Sequence, residues 1–337
     1  MTRTTDTTRV TEELALIGSD APSRVLERDE EALLAPPHPG RLPVALWREQ
    51  EPLTVAHFAQ RHEQRPFAPP RGVFEHERLR VEWQTMHDER QPFYHRNCDV
   101  DELSYQIAGE RTLLTELGVV EHRPGDLCRI PRGVAHDNYG RRESHLLFYS
   151  PAPVVAESPA VRTSGTPSPP FPGWRPGPVN EAVTTGMGAP GCDVAVFPVD
   201  EQLLLDRVHQ GPERLDVLTA AGPEGLVWHY RGDGFRLGSA ALPDADGRTY
   251  RRTLDADEVQ YQISGHRTLV SQRGVVELVP GDLVRVPVGV AHTSFADGPS
   301  SHLVLLSARE LRQVAPTDRT AEPCTAERLA TLRKGRR

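Results

Sequence analysis

His95, Glu102 and His136 are the side chains whose types and spacing could do chemistry first. Residues two apart on a strand point the same way, so His95 and Asn97 share a face. Glu102 enters from the adjoining strand, and His136 follows a tight Pro131-Arg132-Gly133 turn. Two imidazoles and a carboxylate with open positions suit high-spin Fe(II), which can hold a substrate and O2 together. A fourth ligand at position 97 would suit Cu, Ni or Mn as well. Asn97 is a poor ligand, which favours the three-ligand Fe(II) set and leaves a neutral amide to hydrogen-bond a ligand or substrate. Tyr94, beside His95, and His87, eight residues before it, are further catalytic candidates with Asn97 for tuning or protonating a bound species. Cys98 lies beside the ligand strand, but Glu102 already supplies the anion.

These residues lie in and beside a block that occurs twice. Asp101 to His136 and Asp257 to His292 align without a gap at an offset of 156, with 23 of 36 positions identical. The second copy keeps Glu258 and His292 but has Arg251 where the first has His95, and Thr253 where it has Asn97. Two ligands without a third rarely hold a metal, so Glu258 and His292 read as a degenerate second site. Other shared residues carry two readings each. Arg129, repeated as Arg285, either grips a substrate carboxylate bidentately or makes salt bridges on the outer face. Gln106 (Gln262) and His145 (His302) are substrate-binding candidates on the same terms. Recurrence in the metal-poor copy favours the structural reading for all three. Cys128 aligns with Val284 and reads as a small apolar core residue.

The elements that must position these residues are strands. From Pro43 to His145, and again from Asp193 to Leu306, apolar and polar residues alternate in short runs such as Leu103-Ser104-Tyr105-Gln106-Ile107, punctuated by Gly109, Gly118 and Pro124-Gly125. Two hairpin-rich units in tandem predict two antiparallel jelly-roll barrels, a closed way to manage sheet edges. The expected organisation is an N-terminal arm over 1–40 with a helix around 24–34, and a first barrel domain with the metal site over 41–150. A Pro-rich linker over 151–180, a second barrel domain over 181–308 and a helical tail over 309–337 follow. The segment 151–178 holds nine prolines in 28 residues, which keeps it extended and out of sheet interiors. Thr325 is a plausible N-cap for the tail helix, which could pack on either barrel or on a second subunit.

The spacing Gly-x5-Pro-x-Gly-x2-His, at Gly125 to His136 and Gly281 to His292, resembles the second motif of the cupin superfamily. That family's first motif, His-x-His followed by a Glu, is matched in part by His95, Asn97 and Glu102. The resemblance covers roughly 75–150 and 235–307 and implies an all-β bicupin, two tandem double-stranded β-helix barrels with a short C-terminal helix. Pro92-Phe93-Tyr94-His95-Arg96-Asn97 further resembles the metal-site segment of homogentisate 1,2-dioxygenases, as do Leu117 to Glu121 and Pro124 to Gly133 a non-metal stretch of them. By residue, that likeness gives His95 and Glu102 as metal ligands and Tyr94 as the adjacent tyrosine. It implies an aromatic ring-cleaving dioxygenase.

Composition bounds the alternatives. A net charge of −8, without a long Lys/Arg block, argues against nucleic acid or an anionic membrane as partner. No run of about 18 apolar residues exists to span a bilayer. The polar, Thr-rich start has no apolar h-region and the four cysteines show no CxxC, which fits a reduced, cytoplasmic protein. The expectation is therefore a metal-dependent bicupin dioxygenase using Fe(II) and O2 as co-substrate on a hydroxylated aromatic or enolic small molecule. A homo-oligomer is compatible. Two other classes fit the same residues: a non-redox metal enzyme (isomerase, hydrolase or decarboxylase, with Zn among the candidate metals), and a non-catalytic bicupin that binds a small molecule.

Overall fold

The computed structural model describes residues 8–35, 51–59, 68–166, 172–187 and 193–334. The chain is all-β, two tandem barrels of mainly antiparallel strands with a short C-terminal helix. In the first barrel, the long strands Asp101–Thr115 and His136–Ser150 pair along their whole length, with register shifts between Arg141 and His145. Leu79–Met86, Gly118–His122 and Asp126–Ile130 complete the walls. Gly109 makes the bend in one continuous strand whose two halves pair with different neighbours, Asp126–Ile130 before it and Gly118–His122 after it. Its φ is +66, and a Cβ there would stand 2.3 Å from the Arg142 carbonyl oxygen. Gly265 repeats this in the second barrel, at φ +70 and 2.3 Å from the Pro299 carbonyl oxygen. Side-chain freedom is forfeited at both positions because the backbones touch.

Strand alternation sorts the side chains. Leu103 and Tyr105 of the first barrel, with Val259 and Tyr261 of the second, enter one apolar cluster between the barrels. Tyr105 and Tyr261 meet there edge-on, with ring centroids 6.4 Å apart. Glu102, Ser104 and Gln106 therefore face the first barrel's interior.

Each barrel is finished by strands from a distant segment, so pairing crosses the linear boundaries expected at 41 and 181. Arg9–Ala15 runs parallel to Thr249–Thr253, with Glu13 opposite Arg251, and Thr54–His57 pairs with Asp282–Val286. In the first barrel, Pro178–Thr184 runs parallel to Tyr94–Asn97, with Ala182 opposite His95, and Asp216–Thr219 pairs with Asp126–Ile130. The helix expected around 24–34 is shorter: Arg24–Asp29 is a strand paired to Arg9–Ala15, and only Glu30–Leu34 is helical, capped by the Asp29 carboxylate. Cross-strand bonding to Arg9–Ala15 overrides the helix-forming composition there. Among its described residues the Pro-rich stretch contributes two-residue edge strands, Val155–Ala156 and Arg162–Thr163, before its end opens the strand Pro178–Thr184. The tail helix Ala326–Lys334 seats Leu329 against Val270, Val275 and Phe295 of the second barrel. Among the described residues no helix is long and apolar enough to cross a membrane.

Candidate metal centre

His95 stands directly opposite His136 across a strand pair, with ring centroids 5.1 Å apart. Glu102, on the neighbouring strand, points into the same space, and one ligand atom from each of the three lies within 4.8 Å of the others. The Glu102 Oε2 to His136 Nε2 distance is 3.6 Å. Among the described residues this is the one His/Cys/Asp/Glu group that could hold a metal ion. Glu102 and His136 are buried, and His95 is half-buried at the cavity wall.

The surrounding chain fixes the ligands. Asn97 Nδ2 donates to Glu102 Oε2 at 2.9 Å, so the residue that replaces a third imidazole orients the carboxylate instead. The Gly133 N–H donates to the Asn97 carbonyl at 2.8 Å, tying the turn before His136 to the His95 strand. Arg96, facing away from the cavity, binds Glu181 at 2.5 Å and Glu116 at 2.7 Å. It thereby clamps the His95 strand to the parallel Pro178–Thr184 strand. The Thr184 hydroxyl meets His95 Nε2.

The donor set fits a divalent metal. Burial pushes the His136 imidazole down to about 4, so it is neutral near pH 7. Its Nδ1 lies 3.3 Å from the Val134 carbonyl oxygen, which can only accept. The proton therefore sits on Nδ1, and Nε2, the atom beside Glu102, keeps its lone pair. Two imidazoles and one carboxylate make a set that leaves positions open on a metal.

The three ligands line a cavity of about 730 Å³, with Gln84, Phe93, Arg111, Asn138, His145, Leu147 and Tyr149 also on its wall. His145 is fully buried. Its Nδ1 is 2.9 Å from Glu143 Oε2 and its Nε2 3.1 Å from Gln84 Oε1, so the ring cannot swing. Burial raises the Glu82 carboxyl, on the same wall, above the usual carboxylate range.

Four expected site residues lie elsewhere. Tyr94 alternates with His95 and points the opposite way, into a core with Leu114, Val119, Ala135 and Leu204. Its hydroxyl donates to Glu201 at 2.9 Å, as the equivalent Tyr250 donates to Glu30 at 2.7 Å in the second barrel. It braces the fold and cannot touch a bound species. His87 sits past the end of its strand, 3.8 Å from Asp88, and is not on the cavity wall. Arg129 binds Asp101 at 3.0 Å and Arg285 binds Asp257 at 3.0 Å, which is the salt-bridge reading in both copies. Gln106 is buried behind the wall, donating to Glu143 at 2.9 Å. Cys98 is exposed, while Cys128 lies in the core, its thiol pushed up to about 12 by burial.

Arg111 is the cavity residue that motif reasoning passed over. The available signal was its recurrence as Arg267, each followed by the same Thr-Leu pair. The second barrel has its own cavity, of about 450 Å³. There Arg251 lies opposite His292, in the register that His95 takes opposite His136. Its guanidinium is 3.7 Å from Glu258, and Glu258 is 3.4 Å from His292. The His292 imidazole, first, and the Arg251 guanidinium hold Glu258 below the usual carboxylate range despite its burial. The second barrel therefore offers two metal ligands with a fixed cation beside them.

No protein-family model matches this chain, and no curated protein matches it. Among solved structures, a deletion mutant of Bacillus subtilis oxalate decarboxylase is similar at a TM-score of 0.48 and 14% identity, over 88% of each chain. A cupin 2 conserved barrel domain protein from Leptotrichia buccalis scores 0.43 at 8% identity, over 71% of this chain and 89% of that one. AerE from Microcystis aeruginosa scores 0.40 at 10% identity, over 71% and 96%. At those scores the architecture rests on the strand pairing itself.

Proposed function

We propose that the first barrel is the active site of an Fe(II)-dependent dioxygenase that inserts O2 into a hydroxylated aromatic or enolic small molecule, opening an aromatic ring where there is one. The observation that carries this reading is the convergence of His95, Glu102 and His136 within 4.8 Å on the wall of a cavity large enough for a small organic molecule. Bound by these three residues, a ferrous ion would supply adjacent open positions for substrate oxygens and O2, together with the electrons that activate O2.

The chain's own side chains account for the rest. Asn97 keeps one Glu102 oxygen occupied and the carboxylate in a fixed orientation. Phe93 and Leu147 give the cavity apolar wall against which a flat ring can lie. Glu82 and His145 are ionisable groups on the wall that the metal set does not use. The Glu143 carboxylate holds His145 at Nδ1.

The reading is tested by loading purified protein with ferrous ion and measuring O2 uptake against a panel of hydroxylated aromatics. His95→Ala should abolish uptake, and His292→Ala should leave it within about twofold. Equal loss in both variants would remove the assignment to the first barrel. Turnover that persists under strict anaerobiosis or with Zn(II) would replace the dioxygenase reading with Lewis-acid chemistry at the same ligands.

A further inference from the structure

The two barrels carry the same buried arginine but partner it differently. In the second barrel Arg267 spends all three nitrogens on neutral acceptors: Nε on Gln262 Oε1 and one terminal nitrogen on Gln260 Oε1, each at 2.6 Å, and the other on Ser294 Oγ at 2.9 Å. The equivalent positions in the first barrel are Gln106, Ser104 and Asn138. None of them receives Arg111. Ser104 is too short to replace a glutamine, and Gln106 is drawn to Glu143. Arg111 donates instead only to His122 Nδ1, at 3.2 Å, where the second barrel has Leu278.

The result is a guanidinium 2% exposed, on the cavity wall, with no carboxylate within salt-bridge distance among the described residues. Its Nε has no hydrogen-bond partner, and neither do Gln106 Oε1, Asn138 Oδ1 and Ser104 Oγ. Buried cations are costly unless paired. A fold that can satisfy this arginine, as the second barrel does, has left it open in the barrel that holds the metal ligands. Glu102 is directed to the metal set, and Glu143 is committed to His145 and Gln106. Among the described residues no carboxylate is left to complete Arg111, which leaves it open to an anion from a bound ligand. A guanidinium fork matches a carboxylate in shape and charge.

We propose that Arg111 anchors a carboxylate of the substrate, which narrows the substrate class to small carboxylic acids whose hydroxyl or enolic oxygens reach His95, Glu102 and His136. Asn138 Oδ1, also on the cavity wall, is left to accept from a substrate hydroxyl. The orientation of the ligand rests on the metal-site reading above, but carboxylate recognition does not.

The test uses the full chain and two isosteric probes, 2-hydroxybenzoate and 2-hydroxybenzamide, titrated calorimetrically before and after chelation. Wild type should prefer the carboxylate at least about tenfold, with or without metal. Arg111→Gln should bring the two probes within about twofold, and Arg267→Gln should keep the preference. A second measurement needs no ligand. Arg111→Met removes an unpaired buried charge, so its melting temperature should equal or exceed that of wild type. Arg267→Met orphans three acceptors and should melt several degrees lower. Absence of a carboxylate preference in wild type, its survival in Arg111→Gln, its loss on chelation, or equal destabilisation by both methionine variants would each overturn the proposal. Oxygen consumption is not read in any arm, so failure of the dioxygenase reading would leave these results standing.

Discussion

Arg251→His should create a second metal site. Arg251 Nε lies 3.7 Å from Glu258, whose other oxygen is 3.4 Å from His292 Nε2. A divalent cation held by Glu258 and His292 would sit roughly 5 Å from the guanidinium. At an effective dielectric of about 20, that repulsion is worth ~7 kcal/mol. This corresponds to a factor of about 10⁵ in affinity, enough to empty a two-ligand site at any practical concentration. Replacing Arg251 with histidine removes the repulsion and places an imidazole in the register that His95 occupies opposite His136.

The assay is Co(II) titration followed by visible absorption and by elemental analysis per chain. Wild type should take one metal, Arg251→His close to two, and the double variant Arg251→His/His292→Ala one again. Arg251→Ala separates the two contributions, because it removes the cation without adding a ligand, and it should stay at one. A folded Arg251→His protein that still binds a single ion would show that the second barrel is closed to metal for another reason. Two ions in wild type would refute the electrostatic argument outright.

Other consequences are open to measurement. Asn97→Ala frees a Glu102 oxygen without removing a ligand, and metal affinity at the first site should fall about 10–100-fold. Tyr94→Phe and Tyr250→Phe each leave a buried carboxylate short of a donor, and both should cost about 1–3 kcal/mol in urea unfolding while kcat is unchanged. A fall in kcat for Tyr94→Phe alone would return that tyrosine to the active site. His229, held between Ser158 and Ser239 hydroxyls, is pushed down to about 4 by burial. The unfolded chain binds that proton near pH 6.5, so stability should fall as pH drops from 6.5 and level off below 4, by at most ~3 kcal/mol. His229→Gln should remove one proton's share of that slope and leave what the other buried histidines, His136 among them, contribute; an unchanged curve would count against it.

The duplicated block exposed the barrels because each copy codes its own hairpins and turns locally. The strands that finish each barrel were not legible, because their partners lie far along the chain and only hydrogen-bond register defines them. Glu13 against Arg251 and Ala182 against His95 are equivalent places in space, yet nothing in the flanking residues announces it. Tyr94 shows a different failure. The alternation that puts His95 and Asn97 inside the barrel puts Tyr94 and Arg96 outside it, so the information was present and adjacency outweighed it.

Arg111 shows a third. Recurrence in a metal-poor copy was a sound reason to read Arg129 as structural, and its ion pair with Asp101 bears that out. Applied to Arg111, the same discount fails, because sharing a residue does not mean sharing its partners. With Ser104 in place of Gln260 and Asn138 in place of Ser294 the arginine stays and its acceptors do not, while His122, where the second barrel has Leu278, supplies one new acceptor. The two barrels then differ as much in the neighbours of a shared residue as in the exchange of His95 for Arg251.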